Sequence, residues 1–173
     1  MRSALCLFAA FLLAGCAGYQ LGPIKPKPMA DVTTIAVPSF KSNVLAPRVE
    51  TLLANAVIRQ IQRDGTYRVV DSNSADAVLH CTLESMDRRP NRTTNGNELL
   101  TQEYQLTLRV NYRIEKRRTG EQLDRRNVTG STYFFATGSD TLSSDLNQDE
   151  QQAIPLAAEK MAENLVAAIS EGW

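Results

Sequence analysis

From Glu103 to Ile114 the chain alternates without a break. Tyr104, Leu106, Leu108, Val110, Tyr112 and Ile114 take every second position, and Glu103, Gln105, Thr107, Arg109, Asn111 and Arg113 take those between. Side chains of a strand point to opposite faces at period two, so this segment reads as a β-strand with one face in a core and the other in water. The apolar face then needs a cover. Two stretches have the spacing of amphipathic helices that supply it. After Pro47, the residues Val49, Leu52, Leu53, Ala56, Val57 and Ile61 share one side while Arg48, Glu50, Asn55, Arg59 and Gln62 share the other. Pro47 at the first helical position and Gly65 just past the end are the expected punctuation. From Ile154 to Ile169, a stripe of Ile154, Ala158, Met161, Leu165 and Ile169 opposes Glu159, Lys160, Glu163 and Asn164, with Pro155 acceptable only in the first turn.

The other strands follow from composition and parity. Val32 to Val37 is rich in β-branched residues, closed by Pro38, and near-continuously apolar, which predicts a central, covered strand. Tyr67 to Val70 is a short second strand. In the third, Ala77, Leu79, Cys81 and Leu83 face inward while Val78, His80, Thr82 and Glu84 face outward. Residues 88–102 hold Pro90, Gly96 and many polar side chains and read as a long exposed loop. The alternating strand is the fourth. It turns at Arg118 to Glu121 into a fifth, Leu123 to Phe135, where a parity mismatch between Leu123 and Val128 predicts a bulge near 125–127. A polar stretch from Gly138 to Gln152 is expected to cover the end of the sheet or stay mobile. The order β, α, β, β, β, β, α predicts an α+β fold, two helices packed on one face of a four- to five-stranded, mostly antiparallel sheet.

The amino terminus carries a different message. Met1 and Arg2 precede an apolar run of 11 residues, Ala4 to Ala14, which is the layout of an export leader and well short of the ~20 residues that cross a bilayer. It closes on Leu13-Ala14-Gly15-Cys16, which resembles the bacterial lipobox: cleavage before Cys16 and a diacylglycerol on its sulfur. Two or three acyl chains hold a protein stably on a membrane. Ala17 is not the aspartate associated with inner-membrane retention, so the expected location is the outer membrane, lipid-anchored and facing the periplasm. Gly22, Pro23, Pro26 and Pro28 then make an extended tether. The expected organisation is a signal peptide over 1–15, a lipidated N-terminus and Pro-rich tether over 16–30, and a single α+β domain over 31–173. Cys6 leaves with the leader and Cys16 is acylated, so Cys81 has no thiol partner in an oxidising compartment.

Chemistry is sparse in what remains. His80 and Cys81 are neighbours on a strand, point to opposite faces, and do not make a catalytic dyad. One His and one free Cys do not make a zinc site, and no glycine-rich strand-to-helix loop offers a phosphate cradle. The expectation is no enzyme, no metal and no cofactor beyond the covalent lipid. With 19 basic and 19 acidic residues the charge is balanced, which argues against nucleic-acid binding. The basic residues nevertheless cluster. Arg88, Arg89 and Arg92 follow the third strand, and Lys116, Arg117 and Arg118 lie at the turn after the fourth. Antiparallel pairing would put these groups at opposite ends of the sheet, where either one could bind phosphates through charge-assisted contacts or simply keep a hairpin tip soluble. Arg109, Arg113, Arg125 and Arg126 form a third set expected on the wet face.

These pieces together resemble the LptE family of lipopolysaccharide-assembly lipoproteins. The likeness lies in Gly15-Cys16-Ala17-Gly18-Tyr19, IAVPSF at 35–40, PRVETLLANAVIRQIQRDG at 47–65, YRVV at 67–70 and ADAVLHCTLES at 75–85. It departs where two residues, not one, separate Phe40 from Asn43. The resemblance implies a non-enzymatic plug and assembly partner of an LptD-type outer-membrane β-barrel, assisting insertion of lipopolysaccharide into the outer leaflet. It also implies contact with lipopolysaccharide through basic side chains, for which the two clusters are the candidates. The alternative class is an auxiliary lipoprotein of a lipid-transporting ABC system or a secretion-pore subunit.

Overall fold

The computed structural model describes residues 25–46, 48–92, 101–137 and 144–171. The residues expected to form the leader, Cys16 and most of the expected tether lie outside them, as do residues 93–100. After a 3-10 turn at Lys27–Met29, the elements are β1 (Thr34–Ala36), β2 (Lys41–Ser42), α1 (Val49–Asp64), β3 (Arg68–Val69), β4 (Ala77–Arg92), β5 (Thr101–Lys116), β6 (Gln122–Thr137) and α2 (Ser144–Glu171). They build the α+β architecture expected, with both helices over one face of the sheet. The strand order is β3-β1-β4-β5-β6, with β2 also paired to β4.

The three long strands form an antiparallel meander, and the short ones are parallel additions along its edge. β1 lies between β3 and β4, parallel to both, and β2 runs parallel to β4. That is the consequence of placing α1 between β1 and β3, since a helical crossover returns the chain in the same direction. β1 is buried at all three positions, as a covered inner strand should be.

On β5 the alternation translates directly into burial. Leu106, Leu108, Val110, Tyr112 and Ile114 are fully buried, while Arg109 and Arg113 are exposed. Burial of each Leu, Val or Ile side chain contributes about 1.5–3 kcal/mol. α2 lies over β6 and β5, so closely that Gly130 on β6 meets the helix backbone at Ala157 and Met161. α1 packs beside α2 and runs parallel to it: Leu52 and Ile154 line one groove near their amino ends, and Ser170 Oγ donates to Asp64 Oδ1 at 3.1 Å near their carboxyl ends. Tyr67 ties β3 to the end of α2 through its hydroxyl, which donates to the Ile169 carbonyl at 2.7 Å.

Four boundaries differ from the sequence-based expectation. α1 begins at Val49, preceded by Arg48 at φ of 65°, a left-handed conformation; the expected first helical residue, Pro47, lies outside the described residues. Gly65 does close the helix, at φ 76°. β4 does not stop near Glu84 but continues through Pro90 to Arg92, so the residues expected to open a loop are strand. Proline is tolerated there beside a register shift between Pro90 and Arg92. The bulge in β6 falls at Leu123, where Ile114 pairs with Asp124 but Glu115 with Gln122, and not at 125–127. Finally, α2 starts at Ser144, which absorbs most of the polar stretch before Gln152 and leaves Pro155 inside the helix. Pro155 and Gln151, whose carbonyl loses its helical donor, are both exposed, so water can replace the missing bond.

Candidate functional site

A second bulge in β4 decides where the basic residues go. Leu83 pairs with Val110 but Ser85 with Arg109, so Glu84 is extra and every later residue changes face relative to a simple count from Ala77. Arg88 consequently opposes the buried Leu106 on the helix-covered side. Its Nη1 donates to Glu150 Oε2 of α2 at 2.6 Å, and its guanidinium lies 5.9 Å from the Tyr104 ring centroid. Tyr104 in turn stacks on Phe134 at 5.6 Å. Arg88 therefore clamps the amino-terminal part of α2 to the sheet. Arg89 is exposed on the open face opposite Gln105, and Arg92 takes the register position opposite Glu103. The three arginines grouped by sequence divide between the two faces.

The open face at this end, the tip, carries two aromatic residues that sequence grouping did not single out. Tyr133 opposes Gln105 and Phe135 opposes Glu103, and both are largely exposed. Their signal was present in Tyr133-Phe134-Phe135, because adjacent aromatics on a strand must occupy both faces and only Phe134 has the helix side. Arg89, Tyr133 and Phe135 thus form an amphipathic surface of cation and aromatic side chains.

The other cluster lies at the opposite end, the base. Antiparallel pairing puts Lys116 against Ala77, while Arg92 and Glu103 meet at the tip. Fifteen residues of β4 separate the two ends, roughly 50 Å at 3.3 Å per residue. Lys116 pairs with Glu121 at 3.4 Å, and Arg117 Nε donates to the Ala75 carbonyl at 2.7 Å, so both are partly engaged in holding the turn. Arg118 is exposed. Lys25 is also at the base, where its Nζ donates to the Val32 carbonyl at 2.6 Å and sits 5.0 Å from the Tyr67 ring.

The third basic set also divides. Arg113 and Arg125 are directly opposed on the open face, and Arg109 shares that face. Arg126 opposes the inward-facing Tyr112 and reaches Asp124 at 3.2 Å. Tyr112 donates to the same carboxylate at 2.7 Å, and burial followed by that bond pushes its hydroxyl pKa up.

The nucleophile and base candidates do not meet. Cys81 is 5% exposed and burial pushes its thiol up, which keeps it protonated and inert. His80 lies on the open face, 3.6 Å from Glu115. No group of three or more metal-ligating side chains comes together among the described residues. Asp76 is the most polarised carboxylate of the base: one oxygen accepts from the Thr33 hydroxyl at 2.8 Å and from the amides of Thr33 and Thr34 at 3.0 and 2.9 Å, which holds its pKa well below the usual range. Its amide returns a bond to Thr34 Oγ1 at 2.9 Å, so its role is to staple β1 to the start of β4. No described helix is long and apolar enough to cross a membrane.

Solved structures similar to this chain come from several bacteria. A neuraminyllactose-binding hemagglutinin homolog from Helicobacter pylori superposes with a TM-score of 0.51 at 13% identity, over 89% of this chain and 93% of its own. A minor lipoprotein from Acinetobacter baumannii gives 0.48 at 17% identity, over 80% and 91%. A Xanthomonas campestris protein gives 0.48 at 13%, over 85% and 87%. No curated protein sequence matches the chain. The model of one protein family matches residues 32–169, from β1 to the end of α2, and the chain belongs to that family, LptE, described as lipopolysaccharide-assembly.

Proposed function

We propose that the protein is a non-enzymatic outer-membrane lipoprotein, anchored through Cys16, that plugs and helps assemble an LptD-type β-barrel and assists lipopolysaccharide insertion into the outer leaflet. Family membership over residues 32–169 is the observation that carries this reading. The geometry refines it. From Cys16 to Lys25 the tether spans at most about 32 Å when fully extended, and Lys25 sits at the base. Acyl chains on Cys16 therefore hold the base close to the anchoring leaflet, while the tip stands roughly 50 Å further along the strands.

Among the six basic candidates, Arg88 and Arg117 are committed to internal bonds and Lys116 to an ion pair. Arg89, which shares the open face with Tyr133 and Phe135, and Arg92, at the register position opposite Glu103, are the better lipopolysaccharide contact. Guanidinium suits the phosphates of a lipid headgroup, and aromatic faces suit its sugars and acyl roots. Arg118 stays with the base and the membrane surface.

A carboxyl-terminal affinity tag and extraction of outer membranes in mild detergent test the partnership. Stoichiometric recovery of one large β-barrel protein supports the plug. Recovery of an ABC system, or of copies of this chain alone, overturns it in favour of an auxiliary or pore-subunit role.

A further inference from the structure

The open face carries a second basic feature, away from the tip. Lys41 of β2, Thr82 of β4, Asn111 and Arg113 of β5 and Arg125 of β6 surround a polar cavity of about 100 Å³, with His80 on its wall. Four strands deliver these side chains to one place because Lys41 pairs with Thr82, Thr82 with Asn111, His80 with Arg113, and Arg113 with Arg125.

Two features of this pocket are unfavourable for a mere surface. Arg113 and Arg125 stand directly opposite each other across a strand pair, where like charges repel. Arg113 is relieved by Glu115 at 2.9 Å, but no carboxylate among the described residues pairs with Arg125 or Lys41. A fold retains such local conflict where a ligand resolves it. Three cations against the single Glu115 carboxylate leave two positive charges, counting His80 as neutral. A phosphate monoester, at −1.5 to −2 near pH 7, neutralises them, whereas one carboxylate leaves a charge unmatched. The cavity is small and lined mainly by polar groups, which suits a tetrahedral oxyanion. The Thr82 hydroxyl and the Asn111 amide provide neutral donors beside the guanidinium forks.

We propose that this pocket is a phosphate-monoester site, formed by Lys41, Arg113 and Arg125 with His80 at its edge, and distinct from the tip. Lipid-borne and soluble phosphate esters share the chemistry that the pocket recognises. It stands whether or not the tip binds lipopolysaccharide.

The chain has a single histidine, so its imidazole signals in a proton–carbon NMR spectrum report on this pocket alone, provided the purified full chain carries no histidine tag. Inorganic phosphate should shift them saturably, where chloride at equal ionic strength does not. Arg125→Gln, an exposed position expected to leave the fold intact, should weaken the response at least tenfold. A response to phosphate equal to that of chloride, or one retained in full by Arg125→Gln, overturns the proposal. The source is then read by adding lipopolysaccharide with and without its phosphates. A His80 shift that requires those phosphates identifies a lipid headgroup. If phosphate shifts His80 and lipopolysaccharide does not, the ligand is a soluble phosphate ester, and the lipopolysaccharide reading is decided by the tip alone.

Discussion

Gly130→Ala should be severely destabilising, and the reason separates this fold from any generic three-stranded meander. In the middle of a strand, alanine ordinarily improves on glycine by roughly 0.5–1 kcal/mol because it has less backbone freedom to lose. Here an added Cβ would lie 2.5 Å from Met161 Cβ and closer still to the Ala157 carbonyl and the Met161 amide nitrogen. These are atoms of a helix backbone and its first side-chain carbon, so no rotamer change relieves the clash. α2 must lift, and the contacts of Ala157, Ala158, Met161, Ala162 and Leu165, all essentially buried, loosen with it. Overpacking of this kind costs about 1–3 kcal/mol, and the rigid backbone puts it at about 3. At about 3 °C per kcal/mol for a domain of this size, Tm should fall by roughly 10 °C. Gly120→Ala is the matched control, because that glycine has φ of 69° with nothing near its missing Cβ. It should cost only the ~1 kcal/mol of a left-handed alanine, or about 3 °C. Thermal melts followed by circular dichroism on the mature chain decide the matter. A Gly130→Ala melt equal to or above the parent would refute the close approach of α2 to β6.

Three further outcomes follow from the geometry. Asp76→Asn should cost about 1 kcal/mol in urea at neutral pH, a modest figure because the site is exposed. Since folding depresses this carboxyl, its contribution is present above the unfolded value near 4 and fades below it, so the gap between parent and variant should close towards pH 2; a gap independent of pH contradicts the assignment. Cys81→Ser should lower stability by about 1–3 kcal/mol by burying a hydroxyl, while barrel copurification survives, and native Cys81 should resist thiol reagents until the chain unfolds. Arg89→Glu should weaken lipopolysaccharide binding with no loss of stability, whereas Arg88→Glu should set like charges against Glu150 and lower Tm; the reverse pattern in paired binding and melting measurements would move the contact to the helix-covered face.

What was legible in the sequence was whatever a large apolar cover enforces. The alternation along β5 and the stripe of α1 were readable because each faces a continuous core, and period alone then assigns every side chain. The separation of Cys81 from His80 followed from the same rule. Residues 88–92 were expected to open a loop because Arg88, Arg89 and Pro90 show no apolar alternation, although they pair as strand with Leu106, Gln105 and Tyr104. α2 was read ten residues short for a related reason: before Ala153 it carries mostly polar side chains, and Pro155 resembles a helix start. Arg88 and Arg89, as neighbours on a strand, had to part to opposite faces, and the bulge at Glu84 decides that Arg88 takes the helix-covered one. One inserted residue exchanges the faces of all that follow, and nothing in the local composition marks it. The phosphate pocket was legible only in part: Arg113 and Arg125 were grouped on the wet face, but Lys41 and His80 join them only through strand register.

The orientation of the domain is the central claim of the proposed function, and it is tested most directly by placing a photo-crosslinking amino acid at Phe135 on the tip or at Arg118 on the base in living cells. The account predicts lipopolysaccharide adducts at position 135 and none at 118. Adducts at 118 alone, or at neither position, would contradict it.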